Sequence, residues 1–156
     1  MSYNCEILER TVQPVLAVRT RTPASELPQV LGRAYQAIVN LLGELEEDPA
    51  GPPYTAYFNM DMQNLDVEIG FPVSQKLKGR GEVIAGEIPA GSFASCLHTG
   101  PYSEIKSAYQ VLMQWVVREG HEATGVSYEF YLNDPNQTPP EELMTQIVFP
   151  LKPGRG

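Results

Sequence analysis

The chain has 156 residues, 42% of them hydrophobic, and a formal net charge of −8. One domain with a sizeable core is therefore expected, since a chain of this length buries about 70% of its unfolded surface. With 11 Lys and Arg in all, it lacks the basic footprint of a nucleic-acid binder, and no apolar run is long enough to span a bilayer.

The start of the chain, residues 1–4, is polar and carries no secretory apolar region. A reducing cytoplasm is the expected compartment, with Cys5 and Cys96 as thiols. Those cysteines and the two histidines, His98 and His121, match no metal-ligand spacing, so neither a metal nor a cofactor is expected.

Residues 4–20 read as a strand interrupted at Pro14. Ser25 is placed to cap a helix and Pro28 suits its first turn. Leu27, Leu31, Ala34, Tyr35, Ile38, Leu41, Leu42 and Leu45 follow at helical spacing. The run of Pro and Gly at 49–53 closes that helix. Residues 54–60 and 65–73 read as strands joined by a polar turn, and 76–81 as a connector.

The same order then recurs. Residues 83–97 are strand-like with a break at Pro89-Ala90-Gly91. A helix opens at Gly100–Glu104 and carries Ile105, Ala108, Tyr109, Leu112, Met113, Trp115 and Val116. Residues 126–132 and 143–151 read as strands around a turn rich in Pro and Asn.

The recurrence is also one of residues. Ala34-Tyr35-Gln36 returns as Ala108-Tyr109-Gln110, and at the same spacing Tyr54 meets Tyr128, Tyr57 meets Tyr131 and Asn59 meets Asn133. After a short insertion, Glu68-Ile69-Gly70-Phe71-Pro72 meets Gln146-Ile147-Val148-Phe149-Pro150. Several ordered matches imply a duplication, with pseudo-repeats at about 4–75 and 81–152 inside one domain. The expected fold is α+β: two β-α-β-β units joined in one antiparallel sheet, both helices on one face. A ligand would then lie on the opposite face or between the halves, where pockets are favoured.

Tyrosines populate the strands expected to line that site: Tyr54 and Tyr57 on one, Tyr128 and Tyr131 on its counterpart. Alternation puts Glu129 on the face opposite Tyr128 and Phe130, beside Tyr131. A carboxylate enclosed by aromatic rings must find a donor or a cation, or take up a proton. A cationic ligand over tyrosine faces meets that need. The plainer alternative is that the tyrosines pack a sheet face with their hydroxyls in water and that Glu129 is solvated.

Thr99-Gly100-Pro101-Tyr102, a helix with Tyr109 and Trp115, Tyr128-Glu129-Phe130-Tyr131, Asn133-Asp134-Pro135 and Thr145-Gln146-Ile147-Val148-Phe149-Pro150 together resemble the GyrI-like family. That is the small-molecule effector-binding domain also fused to AraC- and MerR-type multidrug regulators. The resemblance implies a duplicated β-α-β-β fold and an aromatic pocket for lipophilic, often cationic compounds, with Glu129 matching the pocket glutamate. The family's final strand often carries a second Glu, which is Gln146 here; Glu68 stands at the corresponding place in the first repeat and could restore the charge. Tyr131, Tyr57, Tyr54, Tyr102 and Phe149 complete the expected ligand-binding set, with Trp115 either there or in the core.

The resemblance leaves three functions open. The first is binding or sensing of lipophilic cations without a DNA-reading module, since no helix-turn-helix is seen ahead of the domain. The second is hydrolysis of cyclopropane-containing electrophiles with Glu129 and Tyr131 as catalytic groups. The third is a gyrase-inhibitor-like interaction with a protein.

Overall fold

The computed structural model describes residues 3–153; Met1 and Ser2, part of the polar start, and residues 154–156 lie outside the described residues. The breaks read within the two long strand regions are topological. The first region divides into β1 (Cys5–Arg10) and β2 (Gln13–Thr22), and its later counterpart into β5 (Ile84–Ile88) and β6 (Gly91–Thr99). The first division falls at residues 11–12. Pro14 lies inside β2, where proline is tolerated near the strand's first residue. Its carbonyl accepts from the Val73 amide and from Gln13 Nε2, each at 2.9 Å.

The remaining elements are α1 (Leu27–Glu44), β3 (Tyr54–Tyr57), β4 (Leu65–Pro72), α2 (Ile105–Arg118), β7 (Ser127–Tyr131) and β8 (Met144–Pro150). Ser25 does not cap α1. A 3-10 turn over Ala24–Glu26 leads into the helix instead, held by a 3.0 Å bond from the Glu26 amide to the Pro23 carbonyl. Tyr102–Glu104 enters α2 in the same way. Pro28 occupies the first turn of α1 as expected.

Residues 12–89 form one compact unit, and residues up to Thr11 together with those from Ala90 onward form another. Each unit thus contains the short strand that the repeat pattern assigns to the other copy. In the first unit the strands run β3-β4-β2-β5, antiparallel throughout. Its helix α1 covers the face bearing Leu16, Val18, Leu65, Val67 and Ile69, and contributes Ala34, Ile38, Leu41 and Leu42 to that core. In the second unit the order is β1-β6-β8-β7, again antiparallel. There α2 sets Ala108, Leu112 and Val116 against Ala94, Cys96, Ile147 and Phe149.

Ala34 and Ala108, repeat counterparts, are buried at the helix–sheet contact. The absence of a longer side chain at each lets the helix approach its strands closely. Among the described residues no helix is long and apolar enough to cross a membrane. Leu112 has no exposed surface, so Leu112→Ala is expected to lower stability by about 2–5 kcal/mol, read as a lower urea midpoint with little change in slope.

Candidate functional site

β7 pairs with β8 so that Glu129 lies opposite Ile147 and Tyr131 opposite Thr145. On the other side of β8, Cys96 lies opposite Ile147 and His98 opposite Thr145. Register partners share a face, so His98, Thr145 and Tyr131 form a polar row across three strands with Glu129 beside it. This is the face that α2 covers, since Ile147 and Cys96 belong to the α2 core. A sequence that fills most of this face with apolar residues thus leaves one end of it polar, under the entry to the helix.

Glu129 is half-buried there and both its carboxylate oxygens have phenol donors. The Tyr109 hydroxyl, on the second turn of α2, donates to Oε2, and the Tyr131 hydroxyl donates to Oε1 at 3.1 Å. The Tyr102 ring stands edge-on to Tyr131, with centroids 5.8 Å apart. Tyr109 rests in turn on Phe149, at 5.7 Å.

Burial pushes the Glu129 carboxyl above the usual glutamate range, and its bonds to Tyr109 and Tyr131 and the nearby His98 imidazole only partly oppose this. The Tyr102 phenol is raised first by burial and then by the Glu129 charge. Thr145 is fully buried and its hydroxyl has no well-formed hydrogen bond among the described residues, although the Tyr102 phenol is close enough to be stabilised by it.

His98 is completely buried. Its Nε2 lies 3.0 Å from the Pro101 carbonyl and Nδ1 lies 3.3 Å from the Tyr3 hydroxyl. The carbonyl places the proton on Nε2, leaving Nδ1 to accept from Tyr3. Tyr3 also meets Ser107 Oγ of α2 at 2.9 Å, which fastens the chain's leading segment to the wall of the site. Among the described residues no three His, Cys, Asp or Glu side chains converge as a metal site, and no Lys or Arg forms an ion pair with Glu129.

Of the residues singled out in the sequence, Glu129, Tyr131 and Tyr102 come together, with Phe149 beneath Tyr109. Trp115 packs against the α2 core. Gln146 lies on the opposite face of its sheet, opposite Phe130 and Leu97 in register, and donates to Ser95 Oγ at 3.0 Å. Glu68 lies on the face of its own unit turned away from α1 and accepts from the Tyr54 hydroxyl at 2.9 Å. Tyr57 packs against the α1 core.

The repeat counterpart of Glu129 is Thr55, not Glu68. There the Tyr35 hydroxyl, counterpart of Tyr109, donates to the Tyr54 carbonyl at 3.0 Å and lies 3.3 Å from Thr55 Oγ1. Only the second unit therefore carries the carboxylate on its helix-covered face.

Tyr109 and Thr145 entered the sequence reading only as motif residues and, like His98 and Tyr3, were not placed in the site. Tyr109 follows Ala108 in an apolar helical stripe, so spacing alone marks it as core. Its recurrence as Tyr35 is the signal that could have singled it out.

The chain belongs to the GyrI-like family: it matches the GyrI-like small molecule binding domain over residues 3–152. Among curated protein sequences none matches. EcmrR, in its DNA complex, is 26% identical with a TM-score of 0.83; the alignment covers 96% of this chain and 57% of the EcmrR chain. This chain thus spans little more than half of that relative. The EcmrR C-terminal domain taken alone is 25% identical over 97% of this chain and 99% of its own, with a TM-score of 0.74. SAV2435, in a structure bound to tetraphenylphosphonium, shares the fold at 10% identity over 97% of this chain and 94% of its own, with a TM-score of 0.69.

The raised Glu129 carboxyl carries a stability signature. A carboxyl whose pKa is higher folded than unfolded opposes folding once both states are ionised, and ceases to do so below the unfolded value. Glu129→Gln is therefore expected to melt higher than the wild type at neutral pH. The advantage should shrink as pH falls through the raised pKa and vanish below the ordinary glutamate value of about 4.3, as read by thermal melts across pH.

Proposed function

We propose that the chain binds lipophilic, cationic aromatic small molecules, with Glu129 as the counter-charge and the rings of Tyr102, Tyr109 and Tyr131 as the contact surface. The observation that carries this reading is a carboxylate partly withdrawn from water whose donors are neutral phenols and which, among the described residues, has no ion pair with Lys or Arg. Phenol donors satisfy its lone pairs without cancelling its charge, so an arriving cation still meets a net negative charge in a low local dielectric. Ring faces add attraction for the same charge.

The family assignment supports a small-molecule ligand. The tetraphenylphosphonium held by SAV2435 supports the ligand class. Gln146, on the other face, is not needed for the charge complementarity of this site. In this reading the chain sequesters or senses such compounds in the cytoplasm.

Calorimetry with tetraphenylphosphonium and tetraphenylborate, which share a shape and differ in the sign of their charge, tests the reading. The cation should bind and the anion should not. Glu129→Gln should weaken the cation roughly tenfold or more, equivalent to about 1.4 kcal/mol. Wild-type affinity for the cation should fall as pH drops through the raised Glu129 pKa, because the neutral carboxyl offers no counter-charge. Equal affinity for both ions, or an unaffected variant, overturns it.

A further inference from the structure

The fold brings the chain's two cysteines together. Cys5 on β1 is the register partner of Cys96 on β6. Directly opposed residues of an antiparallel pair have Cα atoms about 4.5 or 5.5 Å apart, and both spacings fall within the roughly 4.4–6.8 Å that a disulfide spans. Both thiols are free and lie within hydrogen-bonding reach of one another.

They differ in setting. Cys96 is buried and its Sγ donates to the Ala108 carbonyl at 3.8 Å, whereas Cys5 is partly exposed. The partial exposure of Cys5 gives a small oxidant access to the pair.

We propose that Cys5 and Cys96 are a reversible dithiol pair, oxidised to a cross-strand disulfide by a small-molecule disulfide such as glutathione disulfide. Cys5 loses its proton to solvent and its thiolate attacks one sulfur of the oxidant; the first thiolate leaves and is protonated. Cys96 then gives its proton to solvent and attacks Cys5 Sγ, expelling the second thiolate. Two protein thiols lose two electrons in all, and the oxidant is reduced to two thiols.

The order follows from the environments. Burial raises the Cys5 thiol, but its contact with Cys96 and the charge of Arg118 hold it back. Burial raises Cys96 much further, to about 12, so Cys96 reacts only once an electrophilic sulfur stands beside it. The bridge would also tie down the segment whose Tyr3 touches His98.

The test exposes the folded protein to glutathione disulfide and follows thiol titre, intact mass and a non-reducing peptide map. The wild type should lose both thiols and two hydrogens, yield a linked Cys5–Cys96 peptide, and return to two thiols with dithiothreitol. Cys96→Ser should stop at a glutathione adduct on Cys5, and Cys5→Ser should leave Cys96 unmodified. Two thiols persisting in the wild type, a lasting Cys5 adduct there, or a disulfide between chains each overturns the proposal. Should a serine variant fail to fold, the wild-type outcomes decide alone.

Discussion

One carboxylate, kept partly out of water between two phenols, organises the polar end of the helix-covered face in the second unit. Desolvation of Glu129 is unfavourable to its ionised form, and hydrogen bonds from Tyr109 and Tyr131 offset part of that cost. Those donors come from different elements. Tyr131 sits two residues along on the same strand, while Tyr109 reaches down from α2. The helix must therefore be docked on its sheet before the carboxylate is satisfied, which is why the apolar contacts of Ala108, Leu112 and Val116 with Ile147 and Phe149 matter to the site as well as to the core.

Duplication supplies the contrast that isolates this feature. Both copies keep a tyrosine on the helix that follows the buried alanine, and both stand that tyrosine against a phenylalanine: Tyr35 against Phe71 at 5.4 Å, Tyr109 against Phe149 at 5.7 Å. What differs is the strand residue that the phenol meets. Thr55 is neutral and short, so in the first copy the hydroxyl turns to a backbone carbonyl. Glu129 is charged and longer, so in the second copy the phenol becomes a donor to a carboxylate. One substitution on a common scaffold thus separates a packing tyrosine from a site tyrosine.

Much of this was legible in the sequence. The helix stripes, the strands and the repeat followed from spacing, and alternation correctly set Glu129 apart from Tyr128 and Phe130. The residue-level resemblance anticipated the family. The face was not legible, because period-two alternation says which residues share a side and not which side the helix covers. Glu68 and Gln146 match each other in the repeat, yet both lie on faces turned away from their helices. Tyr109 reads as core by period. His98 and Thr145 come beside Glu129, and Tyr3 beside His98, only through β1–β6–β8–β7 pairing, which local sequence does not encode. Nor does repeat spacing disclose that β1 and β5 each join the compact unit of the other copy.

The tyrosine donors set a balance that bears on what such a site can hold. Each phenol that stabilises the carboxylate lowers the proton affinity of Glu129, and so widens the pH range in which a counter-charge exists. The same phenol also lessens what an arriving cation can add, since part of the desolvation cost is already met. In the proposed reading cation and proton compete for one group, so the coupling between them is reciprocal: a bound cation must lower the carboxyl's pKa by the factor with which protonation weakens the cation. A carboxylate held by salt bridges would gain little from a further cation, and one without donors would keep its proton to higher pH. Two neutral donors put Glu129 between those limits, ionisable without being neutralised. That is the condition under which charge selection by a single side chain is effective.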